Sequence, residues 1–156
     1  MTGHTDPLTT RPARTQAIER GLMRHLARLN IACLAEFTLA SGRRADIFGV
    51  RPDGGLIIIE IKSGLPDFYA DQKWPDYVQW CDAFYFAIDR DMPQDILPQQ
   101  AGLILADGYG AEIMREPIDR PRLSAARRKA LWLRFGQVAA QRLRGLLDPD
   151  ANMTIY

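Results

Sequence analysis

Leu56-Ile57-Ile58-Ile59-Glu60-Ile61-Lys62 is an aliphatic run that ends in two charges two positions apart. A run of this kind reads as a strand covered on both faces. Side chains alternate along a strand at ~3.3 Å per residue, so Glu60 and Lys62 project together while Ile59 and Ile61 point the other way. Charged groups are seldom buried without partners. Two readings follow: a structural ion pair at a strand end, or a metal site.

Pro52-Asp53-Gly54-Gly55 carries strong turn chemistry and joins the run Arg44–Arg51 to Leu56–Lys62 as a β-hairpin. Folding there sets Asp46 opposite the charged end of the partner strand. Cross-strand neighbours lie ~5 Å apart, so Asp46 and Glu60 can both reach one hard cation such as Mg²⁺, which takes oxygen ligands at ~2.1 Å. The faces must also match. Asp46 shares the Glu60 face if the loop is odd-numbered or a bulge intervenes; a two-residue loop puts Asp46 behind the sheet.

Upstream, Arg14 to Asn30 has helical period, with Ile18, Leu22, Leu26 and Leu29 on one face and Arg20, Arg24 and Arg28 off it. Glu19 flanks that stripe. Ile31 to Ala40, which contains Glu36, reads as a first strand and leads into the basic loop Ser41-Gly42-Arg43-Arg44.

Asp46 with the tripeptide Glu60-Ile61-Lys62 resembles the core of the PD-(D/E)xK nuclease superfamily, the restriction-endonuclease-like fold. The resemblance implies that Asp46 and Glu60 hold a divalent metal, Mg²⁺ or Mn²⁺, and that Lys62 sits beside the attacking water. Pro52-Asp53, the literal Pro-Asp pair, lies in the turn about 23 Å of extended chain from Glu60, too far for a shared metal. Ala45 stands where the motif has its proline. Resolvase-like members carry a further Glu on a helix before the core, which implies Glu19 as a third acid, with Glu36 in reserve; the alternative for Glu19 is a surface pair with a neighbouring arginine.

Downstream, the segment from Asp67 to Tyr77 leads into a short helix ending near Cys81, and Ala83 to Ile88 reads as a strand. Arg44-Ala45-Asp46, Glu60-Ile61-Lys62-Ser63, Asp67, Asp71, Lys73-Trp74, Tyr77 and Cys81-Asp82 together resemble the MmcB-like DNA-repair family over about Arg14 to Leu147. Lys73 and Tyr77, four apart, would share a helix face and direct a cation and a hydroxyl at phosphate; the alternative is a lysine lying over Tyr77 and Trp80. Asp67 and Asp71 either orient Lys62 or Lys73 or solvate a loop.

Bulk properties fit one compact unit. A chain of 156 residues buries roughly 70% of its unfolded surface. Residues 1–11, His4 among them, lack periodicity and read as a flexible tail before a single domain over 12–156. Cys33 and Cys81 read as small buried apolar residues, and His25 as a surface side chain. The chain has neither a signal-peptide core nor an apolar run near ~18 residues, so a soluble cytoplasmic protein with no membrane partner is expected.

The net charge of +1 hides an asymmetry. From Arg120 to Leu147 the chain carries Arg122, Arg127, Arg128, Lys129, Arg134, Arg142 and Arg144 and no acid. This segment reads as a long helix capped by Ser124, with Leu131, Phe135, Val138, Leu143 and Leu146 on its apolar side. Its cations either track phosphates or form a solvated face. Trp80 and Trp132 are expected in the core, and Trp74 nearest the site. Gly102–Asp107 and Ala111–Met114, around Gly108-Tyr109-Gly110, complete the sheet.

The order of elements predicts an α/β domain with a central mixed sheet flanked by helices, restriction-endonuclease-like by resemblance. The function that follows is metal-dependent DNA cleavage in repair, with Arg43, Arg44, Lys73, Tyr77, Arg127, Arg128 and Lys129 as DNA contacts. The alternatives are a non-catalytic DNA-binding or scaffold subunit, and action on RNA. Oligomeric state and other repair partners are not encoded in any motif.

Overall fold

The computed structural model describes residues 11–70 and 73–150. Residues 1–10 of the expected tail, with His4, lie outside the described residues, as do Asp71 and the side chain of Asp67. In chain order the elements are α1 (Arg11–Arg28), β1 (Ala32–Thr38), β2 (Arg44–Val50), β3 (Leu56–Ile61), α2 (Leu65–Ala70), α3 (Pro75–Val78), β4 (Ala83–Ile88), β5 (Gly102–Ala106), β6 (Ala111–Arg115) and α4 (Ala125–Leu147). The six strands lie in sequence order in one sheet. β1, β2 and β3 are antiparallel, β3 to β5 parallel, and β6 antiparallel to β5. This is the mixed, helix-flanked α/β sheet expected from the order of elements.

Both faces are covered, which explains the unbroken aliphatic run in β3. Ile18, Leu22 and Leu26 of α1 bury against Ile47, Ile57, Ile59 and Ile61. The opposite face packs Phe48, Leu56, Ile58, Phe84 and Phe86 against Leu131 and Val138 of α4 and against Tyr77. α1 sits very close to the β5–β6 turn: a Cβ on Gly21 would stand 1.9 Å from the Asp107 carbonyl oxygen. Only glycine fits that approach.

Several expectations need correction. Leu29 is 45% exposed, because Asn30 turns left-handed at φ 56° and ends the helix there. Leu143 and Leu146 are exposed too; β1 is the outermost strand, and the last turns of α4 have no further strand to cover. Trp132 is exposed as well, its indole N–H donating to the Gly54 carbonyl at 2.9 Å. His25 is half-buried rather than surface-lying. The short helix before Cys81 is two elements: α2, begun around Pro66, and the four-residue α3, begun at Pro75, where a proline suits the first turn. Among the described residues, no helix is long and apolar enough to cross a membrane.

Candidate metal centre

The β2–β3 turn sets the geometry of the acids. Arg51 and Gly55 face each other across a three-residue turn in which Gly54 adopts φ +88° and the Asp53 carboxylate accepts the Gly55 amide at 2.8 Å. The odd count fixes the register with Ile47 opposite Ile59. One residue further, Asp46 comes level with Glu60, and its amide meets the Glu60 carboxylate.

There the ladder gives way to side chains. The Asp46 amide donates to Glu60 Oε1 at 3.0 Å, and the Ile61 amide donates to Asp46 Oδ2 at 2.8 Å. The two carboxyls also share a hydrogen bond. The neighbouring strand is irregular at the same level. Glu36 has φ +50°, and Leu34 and Phe37, three apart, both pack on the α4 side, as do Ala45 and Phe48 on β2. Strict alternation would put each pair on opposite faces, so β1 and β2 switch faces around Glu36 and Asp46. A non-glycine residue at positive φ costs about 1–2 kcal/mol, and such outliers concentrate at functional sites.

Glu60 and Lys62 are each 4% exposed. Burial is the main cause that pushes Glu60 up to about 9, with the Asp46 charge next; the Asp46 amide and the Lys62 cation oppose it. Without a cation the pair therefore retains a proton at neutral pH, and a bound divalent ion would take its place. Mg²⁺ is commonly held by one or two protein carboxylates, with water and phosphate oxygens completing its shell, so this donor pair fits it.

The third acid is less closely placed. Glu19 is half-buried on α1, and its carboxyl is raised by burial first and then by the charges of Glu36 and Asp46. Glu36 is 68% exposed, with Arg44 at 4.0 Å. Among the described residues, no three Asp, Glu, His or Cys side chains are placed to hold a metal together. One polar residue beside the site carried no role in the sequence: Ser63 is 2% exposed and its hydroxyl has no hydrogen-bond partner among the described residues.

The basic candidates divide. Arg43 pairs with Asp76 at 2.7 Å, Arg44 is exposed beside Glu36, and Lys73 and Lys129 are exposed. Lys73 and Tyr77 do not share a helix face, because α3 begins after Lys73 and Tyr77 turns inward. Tyr77 stacks on Phe84 and donates its hydroxyl to the Arg44 carbonyl at 3.1 Å. Arg128 grips both oxygens of Asp82, holding that carboxyl below its usual range, and Arg127 lies 4.2 Å over the Trp80 ring. Trp74 stacks on Phe84 and meets Phe86 edge-on, and Phe86 is the β4 partner of Glu60.

The sequence matches the family described as "DNA repair protein MmcB-like" over residues 4–150. The chain belongs to the MmcB-like family. The solved structure of the SPO1766 protein of unknown function from Silicibacter pomeroyi resembles this MmcB-like chain at 40% identity and a TM-score of 0.86, covering 92% of this chain and 97% of that one. No curated protein matches this MmcB-like sequence.

Proposed function

We propose that this MmcB-like protein is a metal-dependent DNA phosphodiesterase of repair, built on the acid pair and lysine of the PD-(D/E)xK nucleases. The observation that carries the reading is the hydrogen-bonded Asp46–Glu60 pair where β2 and β3 part, with Lys62 buried two residues on. Asp46 and Glu60 would hold Mg²⁺ or Mn²⁺, which when bound polarises a phosphoryl oxygen and lowers the pKa of a water. The Ile61 amide fixes the Asp46 carboxylate, and the Asp46 amide fixes Glu60. Lys62 is positioned by its own amide, which donates to the Ala87 carbonyl at 2.9 Å. Its cation orients the nucleophile and offsets charge that develops on the phosphorane-like transition state. Glu19 adds negative potential from the α1 side.

The test is cleavage by purified protein with Mg²⁺ or Mn²⁺, against single-stranded, duplex, flapped and branched DNA, alongside Asp46→Ala. Cutting of at least one substrate by the wild type and loss of it in the variant are expected. Tight binding without cutting on all four would leave a DNA-binding scaffold with a vestigial site. RNA versions of the same substrates decide whether the sugar matters.

A further inference from the structure

A second basic site lies away from the acid pair. Between α3 and the segment that enters α4 is an open cavity of about 630 Å³. Arg120, Arg122 and Arg127 line it, with Gln79, Ser124 and apolar groups, and no acid opens into it; Asp82, Glu116 and Asp119 lie in the adjoining cavity that Arg120 and Arg122 also border. None of the three arginines makes an ion pair among the described residues. Arg127 donates to the Gln79 carbonyl at 3.0 Å and rests on Trp80, while Nε of Arg120 is buried without an acceptor among those residues. Arg128, one residue on, differs: Asp82 neutralises it.

The first turn of α4 adds to this field. Ser124 caps the helix by accepting the Arg127 amide at 3.2 Å, and the positive end of a 23-residue helix meets the cavity. Three guanidinium groups around one opening repel each other, and an anion with several acceptor oxygens relieves that repulsion while satisfying idle donors. Arginine's planar fork suits a phosphate.

We propose that Arg120, Arg122 and Arg127 form a phosphate-binding site separate from the candidate metal centre. The site takes a backbone phosphate of the DNA that the acid pair would cut. α3 lines the cavity with Pro75 and Val78, and its Tyr77 hydroxyl donates to the carbonyl of Arg44, two residues before Asp46. None of Asp46, Glu60 and Lys62 lines the cavity, so the two places would take different phosphates of one strand. The DNA assignment rests on the proposed function; the phosphate chemistry rests on the cavity alone.

The experiment compares wild type with Arg122→Gln, Arg127→Gln and, as a control, Arg144→Gln, a cation on the same helix outside the cavity. All measurements are made in EDTA. One readout is the melting temperature in sodium phosphate against sodium chloride at equal ionic strength. The other is the salt dependence of binding to a fluorescent single-stranded oligonucleotide. Phosphate should raise the melting temperature of wild type and control but not of the cavity variants. The slope of log K against log salt should fall by about 0.7 for each cavity arginine removed and stay unchanged in the control. A response in the slope identifies the ligand as DNA, and a response in melting alone identifies a free phosphate-bearing molecule. If neither readout responds, or the control responds equally, the site is refuted. Arg122 is exposed and makes no ion pair among the described residues, so its variant decides the matter if Arg127→Gln is destabilised by loss of the Trp80 contact. Without divalent metal present, a negative result here leaves the nuclease reading untouched, and absence of cleavage leaves this site untouched.

Discussion

Glu60→Gln should make the metal-free protein more stable at neutral and alkaline pH. The Glu60 carboxyl is raised from 4.5 to about 9. An unfolded chain releases this proton above 4.5, whereas the folded chain holds it until about 9. A raised acid pKa means that the stability it contributes is present below 4.5 and is lost as pH rises toward 9. At pH 7.5 the interval is about three units at 1.36 kcal/mol each, or about 4 kcal/mol. Glutamine cannot ionise, yet its amide oxygen can still accept the Asp46 amide and its NH₂ can still donate to the Asp46 carboxylate. The variant should therefore match wild type near pH 4.5 and exceed it by up to about 4 kcal/mol at pH 7.5, roughly 10 °C in melting temperature for a chain of this size.

Urea unfolding of both proteins across pH 4.5–8.5 in EDTA reads the difference for the Asp46–Glu60 pair as a unit, because the titrating groups outside that pair are common to the two. Adding Mg²⁺ should then stabilise wild type, increasingly at higher pH, and leave Glu60→Gln unmoved, since binding only to the folded state stabilises by RT ln(1 + [L]/Kd). A variant less stable than wild type at pH 7.5, or a gap that does not widen with pH, would refute the argument that an uncompensated carboxyl pair is buried here. Equal Mg²⁺ stabilisation of both would refute the metal.

Three further outcomes are expected. Lys62→Ala should lower cleavage by about 100- to 1,000-fold while changing DNA affinity little, as single-turnover kinetics and anisotropy would show, because the lysine acts on charge formed in the transition state. Gly102→Ala should destabilise by about 1–3 kcal/mol in urea titrations. Its Cβ would stand 2.2 Å from the Tyr85 ring, which cannot yield because Arg51 and Glu116 hold the Tyr85 hydroxyl. Arg128→Ala should cost about 1–3 kcal/mol at pH 7. Asp82 is lowered from 3.8, so that cost should begin to shrink as pH falls below 3.8, and a cost that stays constant on acidification would show that the arginine acts through packing instead.

The sheet was legible because its signals are local. The run Leu56–Ile61 admits one reading, Pro52-Asp53-Gly54-Gly55 one kind of turn, and the Ala83–Ile88 strand was found at its observed limits. The odd turn, with Gly54 at positive φ, brings Asp46 level with Glu60. What stayed hidden is non-local. No periodicity announces that β1 and β2 switch faces at Glu36 and Asp46, because a regular strand and a kinked one share the same apolar count. The orientation of Tyr77 was equally out of reach: α3 is a single turn, too short for a pattern, and its direction is set by stacking on Phe84 from a strand still to come.

The basic tract of α4 shows how one composition serves two purposes. Read as a line of charge, Arg122 to Arg144 looks like a uniform track for phosphates. In the fold, Arg134 donates to the Thr38 carbonyl at 2.7 Å, and Arg142 donates to the Ala35 and Glu36 carbonyls at 2.6 and 2.9 Å. Edge strand β1 has backbone acceptors with no strand beyond them, and a guanidinium bond to such a carbonyl is stronger than a neutral one. These carbonyls flank the irregular point of β1, and across from them Ala35 faces Ile47 and Phe37 faces Ala45, the two neighbours of Asp46. Arg134 and Arg142 of α4 thus hold in place the kinked strand beside Asp46, and Arg122 and Arg127 are the ones assigned to the proposed phosphate site. A helix that acts only through its field would lose both functions to salt together. Here salt should weaken DNA binding through Arg122 and Arg127, while the short, partly buried bonds of Arg134 and Arg142 keep β1, and with it the geometry of the acid pair, intact.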